Sequence, residues 1–286
     1  MKELSNVACS VEPSATLSVD ALAKKLKAEG MDVIGFGAGE PDFETPDNIK
    51  EAGISAIQSG KTRYTPAAGM KELREACAYR LKEDFGLDYD YKQIVVASGA
   101  KHALYTALTA VINPGDEVII PAPYWVSYYE MVRMVCGHPV VIRTKEAKNF
   151  KITPEQLEEA ITDKTKLFML NNPSNPTGML YSEEELRALT DICVKHDIYI
   201  LADEIYYCLV YDNKKFVSVA SLGPEVKKRT ILVNGVSKAY AMTGWRIGYA
   251  AANPEIASVM ANLLSHAASA PSTISQVAAA EALRGP

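Results

Sequence analysis

The chain has 286 residues, of which 48% are hydrophobic and 23% charged, and its formal net charge is −5. It is long enough for one large α/β domain, or for one domain and part of another. Lysine and arginine form no long block, so we expect neither nucleic acid nor a membrane as a partner, and a small molecule as the substrate. The five cysteines are never spaced C-x-x-C, and the N-terminus carries no signal-like apolar segment. This pattern is typical of a cytoplasmic protein with reduced thiols and no metal site.

The first part of the chain has a different sequence pattern from the rest. Residues 21–29 predict an amphipathic helix, and residues 35–41 form a glycine-rich loop. From about residue 94, helical patterns alternate with seven predicted strands, at 94–97, 117–120, 140–143, 166–170, 198–202, 231–233 and 247–251. Strands separated by helices predict a mainly parallel sheet with helices on both faces, which is a three-layer α/β/α fold.

Two later helices have clear signals of their own. Ser182 and Glu185 form a capping box, and the helix that they open leads into a strand ending at Asp203. Residues 274–283 carry another helical pattern near the end of the sequence.

Lys238 stands in the most informative segment, V-N-G-V-S-K-A-Y-A-M-T-G-W-R-I-G-Y at residues 233–249. A lysine amine reacts with an aldehyde only when it is unprotonated, and burial beside a second cation lowers its pKa toward that form. Arg246 offers that positive charge, together with a planar fork that suits a phosphate. Most lysines are solvated surface charges, but the buried strand before Lys238 favours a chemical role.

Polar side chains follow the ends of two neighbouring strands. Asn175 lies in N-N-P-S-N-P-T-G, which is either a rigid loop alone or a stiff support for a ligand contact. Asp203 either caps a following helix or keeps the nitrogen of a pyridine cofactor protonated, and both roles are compatible. Tyr206, three residues later, is spaced to reach an oxygen on the same ring.

Two further strand ends add weaker signals. Gly99, Ala100 and Lys101 open a predicted helix, whose first amides form an anion site without any special side chain. Trp125 follows the strand at 117–120, where it belongs either to the core or to a flat surface for a ring.

Together these segments resemble fold-type I pyridoxal-phosphate (PLP) enzymes, specifically class I aminotransferases, and most resemble the bacterial aspartate aminotransferase subgroup. The resemblance runs from about residue 13 to the last residue. It rests on P-S-A-T, G-A-G-E-P-D-F-x-T-P, Y-x-P-A-A-G, P-Y-W-V-S-Y, N-P-S-N-P-T-G, D-E-I-Y and the lysine segment, in that order. It implies a homodimer that uses PLP to transfer an amino group between an L-amino acid, aspartate, and a 2-oxo acid, 2-oxoglutarate.

The resemblance also implies individual roles. Lys238 would carry the cofactor covalently, and Asp203 would pair with its ring nitrogen. The other cofactor contacts would be Asn175 and Tyr206 at the 3′-oxygen, Trp125 on the ring, and Arg246, Gly99, Ala100 and Lys101 at the phosphate, which Tyr64 would reach from the other subunit. The substrate would meet Gly39, Trp125, Asn175 and Lys101, with Ser14 and Thr16 nearby. An exposed lysine at a helix start is the alternative for Lys101.

Two departures from the family pattern stand out. Gly235 replaces a phosphate-binding serine. Family members continue into a C-terminal segment that completes the small domain and supplies an arginine for the substrate α-carboxylate, and neither Arg80 nor Arg284 stands in a matching motif. We therefore expect a C-terminally truncated form. Residues 1–44 would be the N-terminal arm and part of the small domain, and residues 45–286 the large PLP-binding domain.

Parts of the sequence also suggest other functions. A PLP-binding or dimerising fragment without turnover is the main alternative, and a β-lyase or decarboxylase uses the same cofactor site. A dinucleotide-binding dehydrogenase is disfavoured because residues 35–40, G-F-G-A-G-E, lack the last glycine of that motif. Residues 60–62 fail as a P-loop, and residues 235–239 fail the serine-hydrolase motif at Ala239.

Overall fold

A seven-stranded β-sheet forms the centre of the fold. The computed structural model describes residues 2–37 and 39–286; Ala38, in the predicted glycine-rich loop, lies outside the described residues. The strands are β1 (Ile94–Ala97), β2 (Glu117–Ala122), β3 (His138–Arg143), β4 (Thr165–Asn171), β5 (Tyr199–Asp203), β6 (Thr230–Gly235) and β7 (Gly248–Ala251). All seven predicted strands are confirmed, with ends that differ by at most two residues.

The sheet has the order β1-β7-β6-β5-β4-β2-β3 and is mainly parallel, as predicted. Strands β2 to β6 pair in parallel, whereas β7 is antiparallel to both β6 and β1. Residues 236–247, which join β6 to β7, contain a 3₁₀ turn but no α-helix, so the chain turns back instead of crossing over. This return connection carries Lys238 and Arg246, and it keeps both at the carboxyl end of β6.

Helices cover both faces of the sheet and confirm the three-layer α/β/α fold. They are α1 (Asn6–Cys9), α2 (Ala15–Ala28), α3 (Asp47–Gln58), α4 (Lys71–Phe85), α5 (Ala100–Val111), α6 (Ser127–Met134), α7 (Pro154–Ala160), α8 (Glu183–Lys195), α9 (Pro224–Arg229), α10 (Pro254–Ala267) and α11 (Thr273–Arg284). Helices α5, α6 and α10 pack on one face. Helices α3, α4 and α11 cover the other face near β1, and α7, α8 and α9 cover it near β4.

Side chains alternate between the two layers along each strand. On β4, Leu167 and Met169 belong to the core under α5 and α6, whereas Phe168 and Leu170 pack against α7 and α8. This two-residue period determines on which face of the sheet each side chain packs. None of the described helices is long and apolar enough to cross a membrane.

The helical predictions hold with one shift. The capping box is present: the amide of Glu185 donates to Oγ of Ser182 (3.2 Å), and the amide of Ser182 donates to Oε2 of Glu185 (2.7 Å). The N-terminal helix α2 begins at Ala15, six residues before the predicted start, because Ser14 takes the N-cap position. No residue of α2 is buried.

Candidate active site

The loops that follow β4, β5 and β6 meet at one edge of the sheet. Asp203 is the last residue of β5, Asn175 lies four residues beyond β4, and Lys238 lies three beyond β6. The start of α5 and the residues before β7 close the same edge. A cleft of about 800 Å³ lies there, and the predicted site residues that line it are Thr16, Gly39, Ala100, Lys101, Trp125, Asn175, Asp203, Tyr206, Lys238 and Arg246. A ligand site at the carboxyl ends of parallel strands is the arrangement that open α/β sheets favour.

Asp203 provides a buried carboxylate, only 3% exposed, beside the cleft. Its Oδ2 accepts a hydrogen bond from the Tyr128 hydroxyl (2.6 Å), and its Oδ1 accepts one from the amide of Ile205 (3.2 Å). Burial raises the pKa of Asp203 to about 6, and these two hydrogen bonds oppose the shift. A cation placed against this carboxylate would relieve the cost of burial. The alternative role as a helix N-cap is wrong, since residues 205–208 form turns.

Asn175 and Tyr206 form a polar pair on one wall of the cleft. The side-chain amide of Asn175 donates to the Tyr206 hydroxyl (3.2 Å), and Asn171 at the end of β4 fixes the loop by accepting from the Asn175 amide (2.6 Å). Burial raises the pKa of Tyr206, and the nearby Asp203 adds to the shift. Both groups therefore remain available as hydrogen-bond donors to one ligand oxygen.

The Lys238 amine reaches into the cleft from the β6–β7 connection. It donates a hydrogen bond to the carbonyl of Gly39 and lies 5.9 Å from the centre of the Tyr206 ring. Burial lowers the pKa of Lys238, Glu40 opposes this shift, and Arg246 reinforces it. The shift runs in the direction that a nucleophilic amine needs.

An anion site lies where Arg246 meets the start of α5. Its guanidinium donates to the carbonyl of Thr243 (2.9 Å) and lies so close to Gly99 that a Cβ there would overlap Nη2. A Cβ on Gly248 would likewise overlap the backbone amide of Ala100. The first amides of a helix have no partner within the helix, and those of Ala100 and Lys101 have none among the described contacts. The amide of Gly99, predicted as a phosphate donor, instead donates to the carbonyl of Ala97 (2.7 Å).

Gly235 explains one departure noted in the sequence. A Cβ at this position would lie 2.9 Å from the Cα of Gly248 and 2.9 Å from the carbonyl oxygen of Ile247. Strands β6 and β7 therefore leave no room for a serine at position 235 unless the backbone moves.

Lys101 and Trp125 lie together at the opposite wall. The ammonium of Lys101 is 4.7 Å from the centre of the Trp125 ring, and partial desolvation together with Arg246 lowers its pKa. Lys101 is nevertheless an exposed residue at the start of α5, as its alternative expects. Trp125 both packs against the core and lines the cleft, and its role as a flat surface for a ring stays a prediction. Thr16 lines the same cleft as Lys101, and Ser14 lines an adjoining cavity of about 660 Å³ with Lys101.

Tyr64, a predicted site residue, lies away from the described cleft, and two residues outside the predicted set, Arg80 and Tyr128, have contacts of their own. Tyr64 is 99% exposed and is absent from the described lining of its own cleft. Arg80 donates to the carbonyl of Leu283 and so holds the end of α11. Tyr128 was missed by sequence reasoning, although its place three residues after Trp125 was the available signal; its amide donates to the carbonyl of Trp125 (3.0 Å) at the start of α6.

Comparison with known proteins identifies the family. The model of aminotransferase class I and II matches residues 31–286. The chain is 52% identical to an aspartate aminotransferase of Bacillus subtilis over 96% of its own length and 70% of the relative, and 50% identical to an aspartate/prephenate aminotransferase of Cereibacter sphaeroides over 100% and 72%. The aspartate aminotransferase of Thermus thermophilus with maleate superposes with a TM-score of 0.96 at 43% identity, covering 99% of this chain and 73% of that one.

The chain belongs to the class I and II aminotransferases. It spans 70 to 73% of the length of the three relatives. The cofactor of this aminotransferase is PLP.

The described residues of this aminotransferase fit PLP. The buried Asp203 carboxylate suits a protonated ring nitrogen, and the Asn175–Tyr206 pair suits a ring oxygen. The close approach of Arg246 to Gly99 leaves the α5 amides and the guanidinium side by side, as a phosphate requires.

Proposed function

We propose that this aminotransferase transfers the amino group between L-aspartate and 2-oxoglutarate, as a homodimer. The observation that carries this proposal is a single cleft that combines the Lys238 amine, whose pKa is lowered, with the buried Asp203 carboxylate. The aspartate specificity is supported by relatives named aspartate aminotransferases, and by one relative whose structure was solved with the dicarboxylate maleate.

In this mechanism PLP supplies the carbonyl carbon that takes up the amino group, together with a ring that withdraws electrons. Lys238 would hold the cofactor. Its Nζ, once released, would take the proton from the Cα of the amino-acid substrate and, in the reverse half-reaction, would return a proton to the Cα that comes from the 2-oxo acid. Asp203 would keep the ring nitrogen protonated, while the hydrogen bond from Tyr128 holds its carboxylate in place.

The remaining residues bind and orient. Asn175 and Tyr206 would donate to the ring oxygen, which fixes the rotation of the ring. Arg246 and the first amides of α5 would hold the phosphate and so anchor the cofactor at its far end. Trp125 would cover the ring and exclude water from that face.

Lys101 would select the substrate. Its ammonium lies in the cleft beside Trp125, where a second carboxylate on the substrate could pair with it. Thr16 and Ser14 lie on the same side and would add hydroxyl groups around that carboxylate. The Gly39 backbone, which already meets Lys238, would contact the α-carboxylate.

The proposal includes a homodimer with Tyr64 at the partner subunit's phosphate. Its support is a tyrosine that is 99% exposed on a loop outside its own cleft. It also includes the division into residues 1–44, an N-terminal arm with part of a small domain, and residues 45–286, a large domain. In agreement with that division, α2 has no buried residue, whereas α3 to α11 pack on the sheet.

The test combines cofactor labelling with product analysis. The purified protein is incubated with PLP, reduced with borohydride and mapped by mass spectrometry, with Lys238→Ala as the variant and the exposed Lys228→Ala as the matched control. We expect the label on Lys238 alone, and conversion of aspartate and 2-oxoglutarate into oxaloacetate and glutamate with ping-pong kinetics. Labelling at another lysine would refute the assignment.

The same assay separates the alternatives. Labelling of Lys238 without any product would favour a PLP-binding fragment that does not turn over. Release of ammonia in place of glutamate would favour a β-lyase.

A further inference from the structure

Helix α11 holds the loop that carries Tyr64. Gln276 on α11 is fully buried, and its Oε1 accepts a hydrogen bond from the amide of Met70 (2.7 Å). Its Nε2 donates to Oγ1 of Thr65 (3.0 Å) and to the carbonyl of Pro271 (2.8 Å). One side chain therefore ties both ends of the segment 65–70 to the start of α11.

Two more contacts fix the same loop. Oγ1 of Thr273, also on α11, donates to the carbonyl of Arg63 (2.7 Å), directly before Tyr64. The amide of Val96 in β1 donates to the carbonyl of Ala68 (3.0 Å). The backbone on either side of Tyr64 is thus held by side chains of α11, while the phenol itself stands 99% exposed.

A buried amide of this kind is costly unless its polar atoms are paired. Gln276 makes three hydrogen bonds, and an apolar residue of similar size could make none of them. Apolar packing alone would leave the loop free to shift, whereas these bonds fix it in one position. The Tyr64 hydroxyl makes no hydrogen bond among the described contacts of its own protomer, so the position that these bonds fix leaves the phenol available to a second subunit.

We propose that Gln276 is a positioning residue that presents Tyr64 to the cofactor phosphate of the partner subunit, so that α11 of one subunit sets the PLP affinity of the other. This inference rests on the proposed homodimer. Its distinctive consequence is that the effect of Gln276 crosses the interface.

The experiment uses hybrid dimers of two differently tagged chains. One chain carries Lys238→Ala, so only the other chain can retain PLP after borohydride reduction. Gln276→Leu is placed either on the Lys238→Ala chain or on the chain that retains Lys238. Tyr64→Phe serves as the reference in both positions, and the PLP dissociation constant is measured from labelling of the Lys238-bearing chain.

We expect the dissociation constant to rise about tenfold when Gln276→Leu is on the Lys238→Ala chain, and by less than about twofold when it is on the labelled chain. Tyr64→Phe should give the same asymmetry. If Gln276→Leu does not fold, Thr273→Val removes a single bond to the same loop at a partly exposed position and should show a smaller change of the same asymmetry.

The outcomes are distinguishable. Equal effects on both chains would mean that Gln276 only stabilises the fold, and would overturn this inference. An asymmetry for Tyr64→Phe without one for Gln276→Leu would overturn this inference alone and leave the homodimer proposal standing. Absence of any asymmetry for Tyr64→Phe, or absence of dimers, would overturn both.

Discussion

Replacing Tyr128 with phenylalanine tests how the buried Asp203 is tuned. The change removes the hydroxyl that donates to Oδ2 of Asp203 at 2.6 Å and leaves the ring in place. Both side chains are almost fully buried, at 2% and 3% exposure, so water cannot readily replace the lost donor. A hydrogen bond to a charged group contributes about 1.5–3 kcal/mol, and about 1.4 kcal/mol corresponds to one pKa unit.

We therefore expect Tyr128→Phe to raise the pKa of Asp203 by about one to two units above its value of about 6. The pKa rises because the lost hydrogen bond stabilises the ionised carboxylate. The burial, which favours the neutral form, is unchanged in the variant. At pH 7 the natural chain would hold Asp203 about nine-tenths ionised, and the variant about half or less.

The measurement is a carbon NMR titration of the Asp203 carboxyl in cofactor-free protein, with its signal assigned by Asp203→Asn. Tyr129→Phe is the matched control, since Tyr129 stacks on Tyr124 and has no hydrogen bond to Asp203 among the described contacts. An unchanged or lowered pKa in Tyr128→Phe would refute the reasoning.

Three further predictions concern the buried Glu204, next to Asp203 in the chain, and two predicted site residues, Gly99 and Lys101. Burial raises the pKa of Glu204 from 4.5 to about 8, so its contribution to stability is full below pH 4.5 and is lost as pH rises to about 8. The free energy of unfolding should therefore fall between pH 5 and 8 in the natural chain, and Glu204→Gln should make this fall less steep by up to about 1.4 kcal/mol per pH unit. Urea denaturation at several pH values measures it, and the same slope in both proteins would contradict the prediction. Gly99→Ala should raise the PLP dissociation constant at least about tenfold because its Cβ overlaps Arg246, whereas Gly115→Ala, which has the same φ of +88° and open space, should not. Lys101→Ala should lower kcat/KM about tenfold more for aspartate than for an apolar amino acid, and equal losses would point to a phosphate role.

The strands and the location of the site were predictable from the sequence because both depend on local patterns. Each predicted strand is a short apolar run between residues that favour turns, and each of these runs forms a strand in the structure. Once the sheet is mainly parallel, the residues after β4, β5 and β6 must share an edge, which is why Asn175, Asp203 and Lys238 meet.

Contacts between distant segments were not predictable in this way. Tyr128 and Asp203 are 75 residues apart, and Gln276 and Met70 are 206 apart, so no periodic pattern links them. Their partners are set by how α6 and α11 pack on the sheet. The antiparallel turn of β7 escaped prediction for a related reason, since apolar runs do not encode strand direction.

The glycine at position 235 shows how the phosphate site depends on backbone approach. Gly235 on β6 lies against Gly248 on β7, and Gly248 in turn lies under the amide of Ala100 at the start of α5. Gly99, next along the chain, then leaves room for the guanidinium of Arg246. A serine at position 235 would add a hydroxyl, but its Cβ would lie 2.9 Å from the Cα of Gly248, so the backbone of β6 or β7 would have to shift. We therefore propose that the first amides of α5 and Arg246 would hold the phosphate in this chain without a side-chain hydroxyl at position 235.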